Sequence, residues 1–143
     1  MIKQNKKVLV IRCGLLGDTV DATAVIQPLI ELYGSELEIH WVSKPGISDL
    51  FKYDSRINKV YKLKHTKLPF IFNIEKFNII LNSLFNPYEL ILNLEIGSKF
   101  NDIVKFTPIH VTGALTIYTF ASIEEIITKL LPWQFALETL LVE

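Results

Sequence analysis

The sequence predicts an α/β domain, a parallel sheet of about five strands with helices on both faces. Three observations carry that expectation. Short apolar runs of strand length alternate with segments of helical spacing along the chain. The first run, Val8 to Ile11, is apolar throughout and mostly β-branched, the pattern of a strand buried on both faces. Successive parallel strands need a crossover of a dozen or more residues, and a helix lying on the sheet supplies it.

The elements follow in order. Val8 to Ile11 ends at Gly14. From Ala22 the apolar residues take helical spacing, with Val25, Ile26, Leu29, Ile30 and Tyr33 on one stripe, and Gly34 stands where the helix should stop. Leu37, Ile39 and Trp41 alternate with Glu38 and His40 ahead of Pro45-Gly46, which predicts a second strand with one more polar face. Ile47 to Tyr53 suits a short helix, and Ile57 to Leu63 a third strand among lysines. Phe70 to Phe85 carries Ile71, Ile74, Phe77, Leu81 and Leu84 at the intervals of an amphipathic helix, stopped by Asn86-Pro87. A fourth strand over Tyr88 to Leu94, a helical segment over Ser98 to Phe106, a fifth strand over Ile109 to Val111 and a helical region over Ser122 to Val142 complete the reading.

Composition narrows the function. The chain has 143 residues, 50% hydrophobic and 21% charged, with 6 glycines and 6 prolines, which suits one globular domain and excludes low-complexity and collagen-like classes. Lys+Arg and Asp+Glu both number 15, so the basic footprint of a nucleic-acid binder is missing and no nucleic-acid partner is expected. The lone Cys13 has no zinc-spaced neighbours and reads as a small buried residue, with no metal expected. The three histidines, His40, His65 and His110, lie apart in sequence and receive no catalytic role. No apolar stretch approaches the roughly 18 residues a membrane span needs. Lys3, Lys6 and Lys7 before Val8 imitate a signal peptide, but the apolar run is short and cut by Arg12, so a cytoplasmic location is expected.

In an open α/β sheet, ligands sit beyond the carboxyl ends of the strands, and the first strand-to-helix turn is the usual anion cradle. Here that turn is Arg12-Cys13-Gly14-Leu15-Leu16-Gly17-Asp18-Thr19. It spells neither GxGxxG nor the GK[ST] ending of a P-loop. Asp18 has two compatible readings: a helix N-cap, or a carboxylate facing the crevice and able to take a proton from a substrate hydroxyl. Asp21, one turn later, reads as a second acid near the helix N-terminus. The stretch Lys59, Lys62, Lys64, His65 and Lys67 holds no acid, and extends back to Arg56. It is either a solvated strand end or a patch for an acidic ligand or an anionic membrane.

Lys7 through Thr23 resembles the opening of the lipopolysaccharide heptosyltransferases, glycosyltransferase family 9: a strand, a basic residue, a small loop, then Gly-Asp and a helix with Thr five residues after the Asp. Arg12, Gly17, Asp18, Val20 and Thr23 fit that pattern. Ile39-His-Trp-Val with Lys44-Pro-Gly, Ile57-Asn-Lys-Val, and Tyr88-Glu-Leu-Ile-Leu-Asn-Leu-Glu also resemble the family, to about Gly113. The resemblance implies a Rossmann-like domain that is half of a two-domain glycosyltransferase fold, the acceptor-side N-terminal half. It implies inverting, metal-free transfer of heptose from a nucleotide sugar, typically ADP-heptose, to a lipid-linked inner-core acceptor at the cytoplasmic face of the inner membrane. By the same resemblance Asp18 is the base, the loop Gly14, Leu15 and Gly17 approaches the donor, and Arg56, Lys59, Lys62, Lys64 and Lys67 dock the acceptor's acidic groups.

Asp21 departs from the family's usual aliphatic residue, and Pro28 falls inside the expected helix. At 143 residues there is room for one of the two domains, so the nucleotide-sugar half is expected to be absent or encoded separately, and the isolated chain to be inactive. The alternatives are a non-catalytic module with a glycosyltransferase-derived fold, or a freestanding nucleotide-binding protein.

Overall fold

The computed structural model describes residues 5–95, 98–109 and 114–116. Five parallel strands, β1 (Lys7–Ile11), β2 (Glu38–Ser43), β3 (Lys59–Lys62), β4 (Leu90–Asn93) and β5 (Ala114–Thr116), form one sheet in the order β3-β2-β1-β4-β5. The chain winds outward from β1 to β3, crosses back, and continues from β4 to β5. That reversal makes the gap between β1 and β4 a topological switch point, where the strand ends leave a crevice.

Alternate residues of each strand feed opposite faces. Val8, Val10, Ile39, Trp41, Leu90 and Leu92 build one core beneath α1 (Leu16–Ala22) and α2 (Ile26–Tyr33), which contribute Ala22, Ile26 and Leu29. Leu9, Ile11, Val42, Tyr61 and Ile91 build the other beneath α3 (Ile74–Ser83) and α4 (Asn101–Phe106), through Ile79 and Ile103. Helices thus cover both faces, as the alternating pattern predicts.

The first helix begins at Leu16, six residues ahead of the expected Ala22, so Gly17 and Asp18 lie in its first turn instead of in a loop. Leu16 and Val20 are exposed, so this turn has no buried stripe to announce it. Pro28 has no N–H for the carbonyl four residues back. The chain answers with a 3-10 turn at Thr23–Val25, which places Pro28 in the opening turn of α2. Gly34 ends α2 at φ 98°, a conformation that favours glycine.

Both faces of β2 are buried, against the expectation of a polar face. His40 is covered edge-on by Tyr61 and Tyr88, and its Nδ1 lies 2.8 Å from the Tyr88 hydroxyl. Burial lowers its pKa from 6.5 to about 4, reinforced by nearby Lys7 and only partly opposed by Glu38.

The largest departure is α3. Ile71, Ile74, Phe77, Leu81 and Leu84, the stripe selected by helical spacing, face outward, with Ile74 71% exposed. The buried side holds Lys76, Ile79 and Ser83. Asn73 caps the helix by accepting the Lys76 N–H, and Lys76 Nζ donates to the Lys99 carbonyl at 2.6 Å and lies 3.3 Å from the Asp102 carboxylate. This polar anchor fixes the helix rotation.

The fifth strand is described in part. Ile109 makes an isolated bridge with Tyr88, whereas Ala114 pairs with Ile91. Residues 110 and 111 of the expected strand lie outside the described residues, and the described fifth strand is Ala114–Thr116. The helical region expected over Ser122 to Val142 lies outside the described residues. Among the described residues, no helix is long and apolar enough to cross a membrane.

Candidate functional site at the switch point

Because the strands are parallel, Arg12, Lys44, Leu63 and Leu94 all follow strands at the same, carboxyl end of the sheet. Arg12 spans the switch point: its Nη1 donates to the Leu94 carbonyl at 2.7 Å, and its Nη2 lies 3.3 Å from Asp18 Oδ2. Glu95, after β4, accepts the Cys13 backbone N–H and stands 3.9 Å from Arg12. One arginine and two carboxylates thereby tie the loop after β1 to the loop after β4.

Asp18 does not cap the helix. Leu15 holds the N-cap position, and no side chain caps there. The Asp18 side chain is 50% exposed and paired with Arg12. It therefore presents a carboxylate at the mouth of the first βα turn, its position set by the guanidinium. Gly14 lies close to this pair. A Cβ there would come within 3.1 Å of Asp18 Oδ2 and 3.3 Å of the Arg12 guanidinium, so the two side chains would have to give by a few tenths of an ångström. Gly17 faces open space, and Leu15 is 74% exposed beside it. Asp21 is exposed at the far end of α1, away from its first turn.

Cys13 is buried under this loop, its Sγ 3.6 Å from the Val42 carbonyl. Burial, aided by Glu95, pushes its thiol up to about 12, so at neutral pH it is a protonated, poor nucleophile.

The basic stretch divides. Lys62 pairs in register with Ser43 at the carboxyl end of β2, and Lys64, His65 and Lys67 follow in the exposed loop on the same end of the sheet as Asp18. Lys59 pairs with His40 nearer the amino end and lies over the Tyr61 ring. Arg56 precedes β3 altogether and forms a fork with Asp54 at 2.8 and 2.9 Å. The structure therefore places Lys62, Lys64 and Lys67 at the crevice end and Arg56 and Lys59 elsewhere. Because β3 is a sheet edge, lysines along it also discourage edge pairing with other chains.

A cavity of about 420 Å³ opens between the loops after β3 and β4, lined by Lys67, Pro69, Lys76, Ser98, Lys99 and Asp102. Its tie between Lys76 and Asp102 had no sequence signal, since neither residue belongs to a motif and they stand 26 positions apart. Glu95 was visible within the Tyr88 to Glu95 motif, but its grip on the Cys13 amide depends on strand register. Among the described residues no three His, Cys, Asp or Glu side chains gather to hold a metal ion.

Comparisons with known proteins bear on the fold. No protein-family model matches the chain. Over 91 residues it is 29% identical to lipopolysaccharide heptosyltransferase 1 of Campylobacter coli, a match covering 62% of this chain and 25% of that protein. The fold matches a glycosyl transferase family 9 structure from Veillonella parvula DSM 2008, with a TM-score of 0.62 at 12% identity, over 85% of this chain and 36% of that one. It also matches the E. coli heptosyltransferase WaaC solved with ADP, with a TM-score of 0.56 at 11% identity, over 85% of this chain and 38% of that one. The chain thus spans about a quarter of the curated relative. In sequence this chain resembles the heptosyltransferases, and its α/β sheet has the Rossmann-like fold of glycosyltransferase family 9.

Proposed function

We propose that this chain is the acceptor-side domain of an inverting glycosyltransferase that moves a heptose from a nucleotide sugar, ADP-heptose, to a lipid-linked saccharide at the cytoplasmic face of a bacterial inner membrane. The observation that carries the reading is Asp18: an exposed carboxylate at the switch point, free of helix capping and steadied by Arg12. A general base must reach the proton it removes and must keep a stable orientation, and this arrangement offers both.

In the proposed step the acceptor hydroxyl gives its proton to Asp18 while its oxygen forms the new bond to the anomeric carbon. The bond from that carbon to the diphosphate oxygen breaks on the opposite face, and the nucleoside diphosphate leaves with the electron pair. Inversion follows from that in-line geometry. Gly14, Leu15 and Gly17 border the donor, and Lys62, Lys64 and Lys67 attract the acceptor's phosphates or carboxylates. Most contacts to the nucleotide belong to a second domain, supplied in the same longer chain or as a separate polypeptide. No metal or other cofactor is assigned a role.

The test is reconstitution. Mixed with a polypeptide carrying the second domain, ADP-heptose and a lipid-linked acceptor, the chain should support transfer that neither part supports alone. Asp18→Asn should lower the rate by about 10²- to 10⁴-fold, the usual range for losing a general base. Reconstituted transfer indifferent to that change would remove Asp18 from the mechanism.

A further inference from the structure

Glu95 is a buried carboxylate that the proposed transfer step does not use. Its side chain is 11% exposed, and a carboxylate taken out of water needs compensating partners. It finds them across the switch point. One of its oxygens accepts the Cys13 backbone N–H and stands 3.9 Å from the Arg12 guanidinium. Glu95 thus reaches from the loop after β4 to the loop after β1, a link between residues 82 positions apart.

The place of that bond decides what it does. Backbone bonds join the strands as far as Arg12, whose N–H donates to the Val42 carbonyl, and Leu94, whose N–H donates to the Ile11 carbonyl. One residue further on, the Cys13 N–H is taken by a side chain instead. That N–H belongs to the planar peptide unit between Arg12 and Cys13, so holding it fixes the direction in which the chain leaves Arg12. Arg12 in turn stands 3.3 Å from Asp18 Oδ2.

Glu95 is itself aimed. Asn93, the last residue of β4, accepts the Glu95 N–H through Oδ1 at 3.1 Å. Its Nδ2 is buried with no hydrogen-bond partner among the described residues. An unpaired buried amide group is unfavourable, and an apolar residue would fill the site without that penalty. The bond that Asn93 gives Glu95 accounts for its presence there.

We propose that Glu95 is a positioning residue, which holds the peptide between Arg12 and Cys13 so that Arg12 presents the Asp18 carboxylate at the crevice, through its reach to the Cys13 amide and not through its charge. The chemical purpose of Asp18 rests on the transferase reading; the tie itself does not.

Two variants separate reach from charge. Glu95→Gln keeps an oxygen at the same length and gives up the charge, whereas Glu95→Asp keeps the charge and withdraws it by one methylene. Transfer is reconstituted from the full 143-residue chain and a second-domain polypeptide, with ADP-heptose and a lipid-linked acceptor. Glu95→Asp should lower kcat about 10- to 100-fold, the cost of misplacing a reacting group by roughly an ångström, with the acceptor KM within about 3-fold of native. Glu95→Gln should stay within about 3-fold in both constants. Hydrogen exchange is read on the chain alone. Glu95→Asp should speed exchange of the Cys13 amide about 10-fold or more while the amides of Val10 and Leu29 keep their rates, and Glu95→Gln should leave all three unchanged.

Native-like kcat in both variants overturns the proposal. So does a defect confined to Glu95→Gln, which would put the charge facing Arg12 in control. A rise in exchange that extends to Val10 and Leu29 assigns Glu95 to the stability of the whole fold and also overturns it. If the native pair of polypeptides transfers nothing, the transferase reading fails by itself and exchange decides the tie: a rise confined to Cys13 upholds it, and an unchanged Cys13 rate overturns it.

Discussion

Two helical crossovers of this sheet carry stripes of the same period and use them in opposite ways. After β1, Val25, Ile26 and Leu29 turn inward and are fully buried. Between β3 and β4, the stripe through Ile74, Phe77 and Leu81 turns outward, and Ile79 is the fully buried apolar residue of α3. Periodicity reports that a helix has a distinct apolar side. Which side meets the sheet is decided by the strongest anchors available. In α3 those are the Asn73 cap and the bonds of Lys76 to Lys99 and Asp102.

The contrast breaks most sharply at Lys76, whose side chain is 1% exposed. Lys76→Met keeps the length and removes the charge, leaving the Lys99 carbonyl and the mostly buried Asp102 carboxylate without their shared donor. Removing one partner of a buried pair costs about 3 kcal/mol or more, and urea unfolding should register a loss of that order. A loss below ~1 kcal/mol would mean that α3 is held by packing like α2, and the anchor explanation would fail.

Matched truncations sharpen the same comparison. Leu29→Ala empties a fully buried site and should cost about 2–5 kcal/mol. Ile74→Ala, at an exposed position, should stay within about 0.5 kcal/mol. Similar costs at the two sites would show that the stripe of α3 is covered in the isolated chain.

The next effect is a pH dependence at the polar layer between the strands and α3. His40 titrates near 4 in the folded chain against an ordinary 6.5, so the unfolded chain binds the proton more readily. Its contribution to stability is present above pH 6.5 and is lost as pH falls from there toward 4, to a total on the order of 3 kcal/mol. Urea midpoints across that window should fall for the native chain and fall less for His40→Gln. Equal slopes would mean that Lys7, Glu38 and Lys59, the charged groups around His40, are rearranged before His40 charges.

Strand and helix order was legible because burial on two faces writes itself as continuous apolar runs and crossovers as helical spacing. The place of the turn at Arg12 to Thr19, at the carboxyl end of the central strand β1, was legible for the same reason: a glycine loop after the first strand has one place in such a fold. What escaped the sequence depends on distant partners. The inversion of α3 needs Asp102 and Lys99, and the burial of His40 needs Tyr88, 48 positions away. The early start of α1 escaped because its exposed Leu16 and Val20 give no inward stripe. The split of the lysine stretch escaped because a strand runs between Arg56 and Lys62 and carries them to opposite ends of the sheet.

Asp18 and Asn73 are both acceptors in the opening turns of helices, and they separate function from stability. Asn73 is buried and accepts the Lys76 N–H, so Asn73→Ala should cost about 1 kcal/mol. Asp18 accepts no capping N–H, and among the described residues its ion-pair partner is Arg12, with the Asp18 side chain 50% exposed. A pair whose carboxylate is half in solvent contributes little, so Asp18→Asn should shift stability by less than about 0.5 kcal/mol in either direction. Thermal melts of the two variants side by side make the distinction. A large loss for Asp18→Asn would mean that its carboxylate serves the fold by closing the loop against Arg12, and a rate defect in that variant would then say nothing about proton transfer. An unchanged melting temperature leaves the rate as a direct report on the carboxylate's chemistry.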